Sequence, residues 1–353
     1  MQAPFYLFAS ALLASGAALA DPVADFYKGK QMQFIIRTAN SGSYDQYSRL
    51  LGRHIVKHIP GNPTMLHVNM PGGGGIKAAN FIAMVAPKDG SHLTMASQGL
   101  PMDQALGLNK GLQADMNTFN WIGNMSDSNQ TTVTWHTSPT KTIFDAMKRE
   151  TVIGASGAGS SSTQIPAVLN NVVGTKFKVI FGYPGGAEID LAMERGEVEG
   201  RAANPWASWK STKADWLKDN KINLLIQIGI RKAADLPNVP LMRDLAKNPD
   251  DQAILDYFSK SISVGRPVGT TPGVPKERVE ALRAAFDATL NDPEFKAEAE
   301  KQKMEISPMT GAELQQLIAD LIDAPKDLLE KVRQVSSSRD AKELPGAKPG
   351  SGN

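Results

Sequence analysis

The sequence lacks cysteine, has almost no net charge and, beyond its N-terminus, lacks any long apolar run. The absence of cysteine excludes disulfide bonds, thiolate metal sites and a cysteine nucleophile. The 38 Lys and Arg residues nearly balance the 36 Asp and Glu residues, and the two signs are interleaved along the chain. Because no basic stripe with interspersed aromatic residues occurs, we do not expect nucleic acid as a partner.

Residues 1–20 carry no acidic or basic side chain and have an apolar core from Phe5 to Leu13. They end in Ala18, Leu19 and Ala20, the small-x-small pattern that a signal peptidase cleaves. A membrane anchor is the alternative, but this run is shorter than the roughly 20 apolar residues that a spanning helix needs. We therefore expect residues 1–20 to be a cleavable signal peptide that directs the protein to the periplasm.

Short strand-like runs alternate with helical patterns over most of the chain. This alternation is typical of an α/β protein with largely parallel sheets. The remaining length is sufficient for two domains, each with its own hydrophobic core. The predicted strands cover residues 32–36, 66–69, 93–96, 152–155, 178–181 and 224–230.

The C-terminal part of the chain has a helical pattern. Apolar residues recur at helical spacing between Val279 and Leu290. Thr310 and Glu313 form a capping box that predicts the start of another helix. The segment 336–353 is rich in Ser, Lys, Pro and Gly, and we expect it to be a flexible tail.

One local pattern occurs twice, each time between a predicted strand and a predicted helix. Ser43 and Gln46 form S-x-x-Q in the first loop, and Ser161 and Gln164 form it in the second. We expect each serine to cap the helix that follows it. The two helix N-termini would then lie at the carboxyl edges of parallel sheets, where their free amides suit a carboxylate or phosphate. Two ordinary capped helices are the alternative, but two such loops in separate lobes favour an anion-binding cleft.

Five segments of the chain, taken in order, resemble one family. They are FIIRTANSGSYDQYSRLL, NMPGGGGIKAANFIAMVAPKDGSHLTM, GASGAGSSSTQI, FGYPGGAEIDLAMERGEVEGR and VPKERVEALRAAFDATLNDPEF. Together they are similar to the periplasmic substrate-binding components of tripartite tricarboxylate transporters, also called Bug or TctC-like receptors. The resemblance covers nearly the whole chain after residue 20.

The resemblance implies a type II periplasmic-binding-protein fold, in which two α/β lobes joined by crossing strands close on a carboxylate. Residues 21–126 and 233–335 would form one lobe, and residues 127–232 the other. The implied function is capture of a dicarboxylate, a tricarboxylate or an aromatic acid, and its delivery to the inner-membrane permease subunits. The absence of heptads or of an obvious sticky face predicts a monomer, and we expect no catalysis and no cofactor. A sensory receptor for a signalling partner and an exported hydrolase are the alternatives.

The first loop motif of the family is kept only in part. Its usual form is proline-aromatic-x-x-Gly-Gly-x-x-Asp, and Gly42 and Asp45 match it. Three positions depart from it, namely Arg37 at the proline, Thr38 at the aromatic residue and Ser41 at a glycine. Carboxylate binding is therefore expected, but these departures leave the identity of the carboxylate open.

The two other loop motifs fall in the second predicted lobe. Gly157, Gly159 and Ser160 match Gly-x-Gly-Ser, with Thr163 where histidine is frequent. The proline-tyrosine-x-Gly motif falls on residues 182–185. The predicted ligand-binding residues are Arg37, Ser41, Gly42, Ser43, Asp45, Gly157, Gly159, Ser160, Ser161, Ser162, Thr163 and Tyr183.

Several of these side chains allow two interpretations. Arg37 could pair with a second carboxylate of the ligand, or form a structural ion pair with Asp45 or another acid. Asp45 could bind ligand through water or complement the helix dipole, and Tyr183 could donate its hydroxyl to the ligand or only pack. Trp206 and Trp209 could line an apolar pocket, but core packing is expected for at least one of them.

Three other patterns do not predict chemistry. His54 and His58 lack the glutamate of H-E-x-x-H and a third ligand, so we expect an exposed helix face and no metal. Gly72 to Gly75 lack the Lys and Ser or Thr of a P-loop and predict a turn before a helix. Ser160 has no histidine nearby in the sequence to act as its base, so no catalytic residue is predicted.

Overall fold

Strands and helices alternate along the chain in the computed structural model, which describes residues 21–38, 40, 43–127, 129–156, 160–183 and 185–336, and the backbone of 342–343. The strands are β1 (Gln31–Ile36), β2 (Thr64–Asn69), β3 (His92–Met95), β4 (Asn120–Asn124), β5 (Gln130–Trp135), β6 (Thr151–Ala155), β7 (Phe177–Phe181), β8 (Gly200–Pro205), β9 (Ile222–Ile228), β10 (Pro267–Thr270), β11 (Met309–Thr310) and β12 (Lys342–Glu343).

Side-chain caps and prolines mark the starts of many of the helices. Asp21, Asn248 and Thr310 each accept a hydrogen bond from an amide of the first helical turn. The helices are α1 (Pro22–Tyr27), α2 (Ser43–Ile55), α3 (Ile76–Met84), α4 (Leu100–Leu106), α5 (Ile143–Ala146), α6 (Ser161–Val168), α7 (Gly186–Glu194), α8 (Trp206–Thr212), α9 (Ala214–Lys218), α10 (Pro249–Ser263), α11 (Lys276–Asn291), α12 (Pro293–Lys301), α13 (Gly311–Ile322) and α14 (Lys326–Val335).

Two six-stranded sheets organise these elements, and each sheet mixes parallel and antiparallel pairs. The first has the order β11-β4-β10-β3-β1-β2, with β1 parallel to both of its neighbours and β10 antiparallel to both of its own. The second has the order β12-β7-β6-β8-β5-β9, with β6 parallel to β7 and β8 and β5 antiparallel to β8 and β9. We call the two sheets with their helices the first and second lobes.

The chain crosses between the lobes in both directions. It leaves the first sheet after Asn124, enters the second at Gln130, and leaves that sheet after Ile228. It re-enters the first sheet at Pro267, after α10. The lobe boundaries predicted at residues 126/127 and 232/233 fall within these connections.

Buried apolar residues form three clusters. One lies between the first sheet and α2, α11 and α12, and another surrounds Trp209 in the second lobe. The third extends from Ile35 through Phe258 of α10 to Ile153, and so joins both sheets. Within the described ranges, every helix is too short or too polar to span a bilayer.

Three predictions from the sequence need correction. The sheets are mixed, because the strands that carry the crossings run antiparallel to their neighbours. His54 on α2 and His58 in the turn that follows it do not form an exposed helix face: each imidazole Nε2 contacts a carboxylate of the α12 region, His54 with Glu298 at 2.7 Å and His58 with Asp292 at 2.9 Å. The backbone of Lys342 and Glu343, within the predicted tail, pairs with β7.

Candidate ligand-binding site

The cleft lies where one edge of each sheet faces the other. In the first sheet, the carboxyl ends of β1 and β3 share this edge with the start of β10, since the amide of Ala96 donates to Pro267 at 3.0 Å. In the second sheet, the carboxyl end of β8 pairs with the start of β5 through Pro205 and Gln130. Strand β6 is parallel to β8, and β7 is parallel to β6, so both end at the same edge of the sheet. The strands that precede the predicted loops therefore end at these two sheet edges.

A cavity of about 370 Å³ lies in this cleft and takes its walls from both lobes. Ser43 and Arg266 come from the first lobe, and Gln130 and Ser208 from the second. The described residues around it include the cations Arg266 and Lys303 and no carboxylate. A cavity of this size suits a small organic anion.

The first loop places Arg37 against an aromatic ring. Its guanidinium carbon lies 3.7 Å from the ring centroid of Tyr44, and Nη1 donates to the carbonyl of Gly74 at 3.2 Å. The glycine run permits this close approach, because a Cβ at Gly75 would lie 2.9 Å from Cδ of Arg37. The buried Nε of Arg37 has no hydrogen-bond partner, and no carboxylate within the described ranges pairs with its guanidinium.

Asp45 is paired with other residues. Its Oδ1 accepts from Nε of Arg49 at 2.9 Å and from Nδ2 of Asn69 at 2.8 Å. Asp45 is buried, at 4% exposure, in the first turn of α2. The predicted alternative of an Arg37–Asp45 ion pair is therefore wrong, and the guanidinium of Arg37 lies on the ring of Tyr44 instead.

The serines of the two S-x-x-Q patterns do not cap their helices as predicted. Helix α2 begins at Ser43 itself, and the Ser43 hydroxyl accepts from Nη2 of Arg266 at 3.0 Å. In the second loop, Ser160 is the N-cap of α6 and gives no side-chain cap. Both serines of the pattern lie at the first helical position, one residue too late to accept from an amide of the first turn.

In the second loop, Ser162 stabilises the loop itself. Its Oγ accepts from the amide of Ser156 at 3.2 Å and lies 2.7 Å from Oγ of Ser160. Thr163 is buried and Ser161 half-buried at the start of α6. The predicted residues Ser41, Gly42, Gly157 and Gly159 lie outside the described residues.

The aromatic side chains near the second sheet pack in its core. Tyr183 is 6% exposed within the apolar cluster that contains Ile189 and Val198, and burial raises the pKa of its hydroxyl. Trp206 and Trp209 belong to the same cluster. Their indole Nε1 atoms donate to Asp235 at 2.8 Å and to Thr131 at 3.0 Å, so both have structural roles.

Arg266 is the main residue that sequence reasoning missed. It follows α10 and immediately precedes β10, and its guanidinium carbon lies 4.4 Å from the Tyr44 centroid and 5.4 Å from that of Tyr47. Its buried Nε has no hydrogen-bond partner, and it forms no ion pair with a described carboxylate. The segment Val264 to Thr270 contains no motif that sets this arginine apart.

Tyr44 connects the two arginines. Burial acts to raise the pKa of its hydroxyl, but the charges of Arg37 and Arg266, together with hydrogen bonds from Gln98 and Arg37, leave the pKa below its ordinary value. Arg37 and Arg266 thus form a cationic cluster around one ring at the start of α2, where the helix dipole also favours an anion. We call Arg37, Tyr44 and Arg266 the arginine clamp.

The described residues provide no metal centre: no three His, Asp or Glu side chains among them come together as a ligand group. Positive charge around the cavity comes from Arg266 and Lys303, and the hydroxyls of Ser43 and Ser208 also line it. Such an arrangement suits an anion.

Comparisons with known proteins agree with this fold. A TctC solute-binding protein from Polaromonas, solved without ligand, superimposes with a TM-score of 0.66 at 19% identity over 86% of this chain and 99% of its own. Rpa4515 of R. palustris, solved with adipate, superimposes with a TM-score of 0.61 at 18% identity over 87% of this chain and 97% of its own. MatC of Rhodopseudomonas palustris, with bound malate, superimposes with a TM-score of 0.60 at 18% identity over 85% of this chain and 99% of its own. These likenesses confirm the predicted fold.

The family assignment rests on the sequence match. The model of the tripartite tricarboxylate transporter family receptor matches residues 52–333, which include most of both lobes and α10 to α14. The match extends across both crossings between the lobes. The chain belongs to the tripartite tricarboxylate transporter receptor family, whose members are periplasmic solute-binding proteins.

Proposed function

We propose that this receptor captures a small carboxylate in its cleft and delivers it to the permease of a tripartite tricarboxylate transporter. The observation that carries the proposal is the arginine clamp at the start of α2, which no described carboxylate neutralises. Two uncompensated cations in a cleft are costly unless an anion joins them. A carboxylate ligand supplies that anion, with further hydrogen bonds from the loops at residues 41–45 and 157–163.

The ligands of similar structures support a carboxylate. Rpa4515 was solved with adipate and MatC with malate. Both molecules are dicarboxylates of a size that the cavity of about 370 Å³ would hold.

The contacts of the second loop support binding without catalysis. The Ser160 hydroxyl lies against Ser162, whereas His54 and His58 contact α12 and His92 contacts Ser91. No imidazole of the described chain is hydrogen-bonded to a serine of this loop. A hydrolase would need such a base beside its nucleophile.

Thermal unfolding with mono-, di- and tricarboxylates and aromatic acids tests the binding proposal. A ligand at a hundredfold excess over Kd adds about 2.7 kcal/mol to the free energy of unfolding. We expect at least one acid to raise the unfolding temperature, and the same compound as an uncharged methyl ester to have no effect. If every acid behaves like its ester, the proposal is wrong.

Uptake measurements test delivery to a permease and export to the periplasm. Deletion of the gene should abolish uptake of the bound acid at low external concentration, and the protein should be recovered from the periplasmic fraction. A gene without residues 1–20 should not restore uptake. Unchanged uptake, together with loss of a transcriptional response to the acid, would instead identify a sensory receptor.

A further inference from the structure

The C-terminal part of the chain forms a third link between the lobes. Helix α14 is held on the first lobe, where Nη2 of Arg333 donates to the carbonyl of Leu106 in α4 at 2.9 Å. Two residues later, the carbonyl of Val335 accepts from Nδ2 of Asn171 in the second lobe at 3.0 Å. Strand β12 then pairs with β7 of the second sheet. After the two crossings, the chain therefore passes once more from the first lobe to the second.

The outer edge of β7 is covered at both of its ends. At the start of the strand, Oδ1 of Asn170 accepts from the amide of Phe177 at 2.9 Å, and Nδ2 of Asn170 donates to the carbonyl of Phe177 at 2.7 Å. At the other end, β12 lies opposite Ile180 and Phe181, the last two residues of β7. Uncovered strand edges tend to pair with other chains, and proteins usually protect them. Strand β12 thus occupies a position that β7 would otherwise leave open.

This pairing lies beside the cleft. Strand β7 ends at the sheet edge that faces the first lobe, and the amides of Gly182 and Tyr183, which follow it, both donate to the carbonyl of Ala155 at the end of β6. When two lobes turn about their crossings, the facing edges of their sheets move apart. The third link is therefore attached to a part of the second lobe that moves when the cleft opens. Because β12 lies beyond residue 333, where the family match ends, the match does not predict this link.

We propose that the segment from α14 to β12, which we call the strap, restrains the opening of the cleft. Helix α14 attaches the strap to the first lobe, and β12 attaches it to the second. Strand β12 has only two residues, so its pairing can open locally without unfolding either lobe. The strap therefore slows the opening of the cleft but does not prevent it. The inference rests on the proposed function, to which it adds a control of ligand release.

The register of β12 selects the variants that test the strap. The amide of Phe177 faces the outer edge of β7, and amides two residues apart in a strand face the same edge, so those of Val179 and Phe181 face outward as well. Lys342 lies opposite the residue between them and should bond to β7 through both its amide and its carbonyl. Lys342→Pro removes that amide, whereas Lys342→Ala keeps it. Glu343→Pro is a second control, because the amide of the next residue faces away from β7.

Hydrogen exchange measures the pairing itself. The amide of Phe181 should exchange at least about tenfold faster in Lys342→Pro, and in a chain that ends at Ser336, than in the wild type. In Lys342→Ala and Glu343→Pro it should exchange as in the wild type, and the amides of the central strand β6 serve as the internal reference in every variant. If exchange at Phe181 is unchanged in both Lys342→Pro and the shortened chain, β12 does not hold β7 and the proposal is wrong.

Distances between spin labels measure the restraint without any ligand. The chain has no cysteine, so Glu194→Cys on α7 and Ala288→Cys on α11 place one label at an exposed position of each lobe. Lys342→Pro should broaden the distribution of distances between the labels, because more open forms become populated, and Glu343→Pro should not. An unchanged distribution alongside faster exchange at Phe181 would overturn the proposal, since β12 would then cover an edge without restraining the lobes.

The rate of ligand release tests the strap under the proposed function. For an acid that binds, stopped-flow fluorescence should show dissociation a few-fold faster from Lys342→Pro than from the wild type, with Lys342→Ala unchanged. Equal dissociation rates from Lys342→Pro and the wild type would show that the strap does not control release. If no acid binds the wild-type protein, the proposed function fails, whereas the exchange and distance measurements still decide whether the strap restrains the lobes.

Discussion

At the scale of single residues, the arginine clamp shows what local sequence can and cannot predict. Arg37 could be selected because it ends a predicted strand and replaces a family residue. Arg266 could not, since it lies 223 residues from Ser43, which it contacts, and no motif surrounds it. Its position depends on the crossing that returns the chain from the second lobe to the first. A local sequence pattern does not show which distant residue that crossing places beside α2.

Replacement of Arg37 should change the titration of Tyr44. The pKa of Tyr44 lies below its ordinary 10.0, so the folded protein loses this proton before the unfolded chain does. This group therefore adds stability only as the pH rises above the lowered pKa. Arg37→Gln should raise the pKa of Tyr44 and remove that alkaline contribution.

The tyrosinate absorbance measures this effect. Tyr44→Phe identifies the first tyrosine to ionise, because burial raises the pKa of both Tyr27 and Tyr257. If Arg37→Gln leaves the first ionisation unmoved while Tyr44→Phe removes it, Arg37 does not act on Tyr44.

At the scale of elements, the strands that the sequence predicts are apolar, whereas several that it misses have polar residues at buried positions. The six predicted strands correspond to β1, β2, β3, β6, β7 and β9. Strands β4, β5, β8 and β10 were missed, although they lie inside the sheets. The buried positions of β5 are largely Gln and Thr, and those of β8 include Gly and Asn, so apolar patterning does not reveal them. These polar strands lead into the cleft.

The end of α12 offers a prediction about stability. The amide of Met304 donates to Ala299 and that of Lys303 to Glu300, both at 2.9 Å, which is the pattern of a Schellman motif. Glycine usually occupies the left-handed position, but Lys303 occupies it with a φ of 54°. Lys303→Gly should raise the free energy of unfolding by about 0.5–1 kcal/mol, since it relieves strain but loosens the unfolded chain.

Chemical denaturation measures the change, and Lys303→Ala is the matched control. Alanine removes the same side chain but retains the strained backbone, so it should not be stabilising. Equal stabilisation by both variants would show that the side chain, and not the backbone angle, opposes folding.

The contact between α2 and α12 should depend on pH. Hydrogen bonds from His54 and the Arg53 charge hold the pKa of Glu298 below its usual 4.5. Because the folded-state pKa is depressed, the stabilisation is present above pH 4.5 and is lost as the pH falls through the lower folded-state value. Glu298→Gln should cost about 1 kcal/mol near neutral pH, and nothing once the carboxyl is protonated.

Denaturation curves at several pH values check this prediction. Glu300→Gln, on the exposed side of the same helix, should show no such pH dependence. If Glu298→Gln still lowers the free energy of unfolding at acidic pH, where Glu298 is protonated, then side-chain shape and not charge accounts for the contact.

At the scale of the whole molecule, one ion pair crosses the cleft. Nζ of Lys210 on α8 lies 3.0 Å from Asp235 in its own lobe and 3.1 Å from Glu305 in the other. Lys210 and Glu305 thus form a salt bridge between the lobes. Such a contact helps to hold the cleft closed, and its worth is modest because both side chains are partly exposed.

Glu305→Gln should therefore favour the open cleft. We expect ligand to dissociate a few-fold faster with little change in the association rate, because the pair acts after the ligand has entered. Stopped-flow fluorescence measures both rates, and Glu300→Gln is again the control. If instead the association rate falls by a few-fold and the dissociation rate is unchanged, Glu305 steers the ligand and does not close the cleft.

The position of the arginine clamp also limits how this protein can be changed. Arg266 and Gln130 stand directly beside the two crossings, and the amide of Arg266 donates to Ser126 within one of them at 3.1 Å. Under the proposed function, an arginine that binds the ligand is therefore hydrogen-bonded to one of the crossings between the lobes. A receptor re-engineered there for a different acid would inherit a different balance between open and closed forms, so its selectivity and its handover rate to the permease would change together.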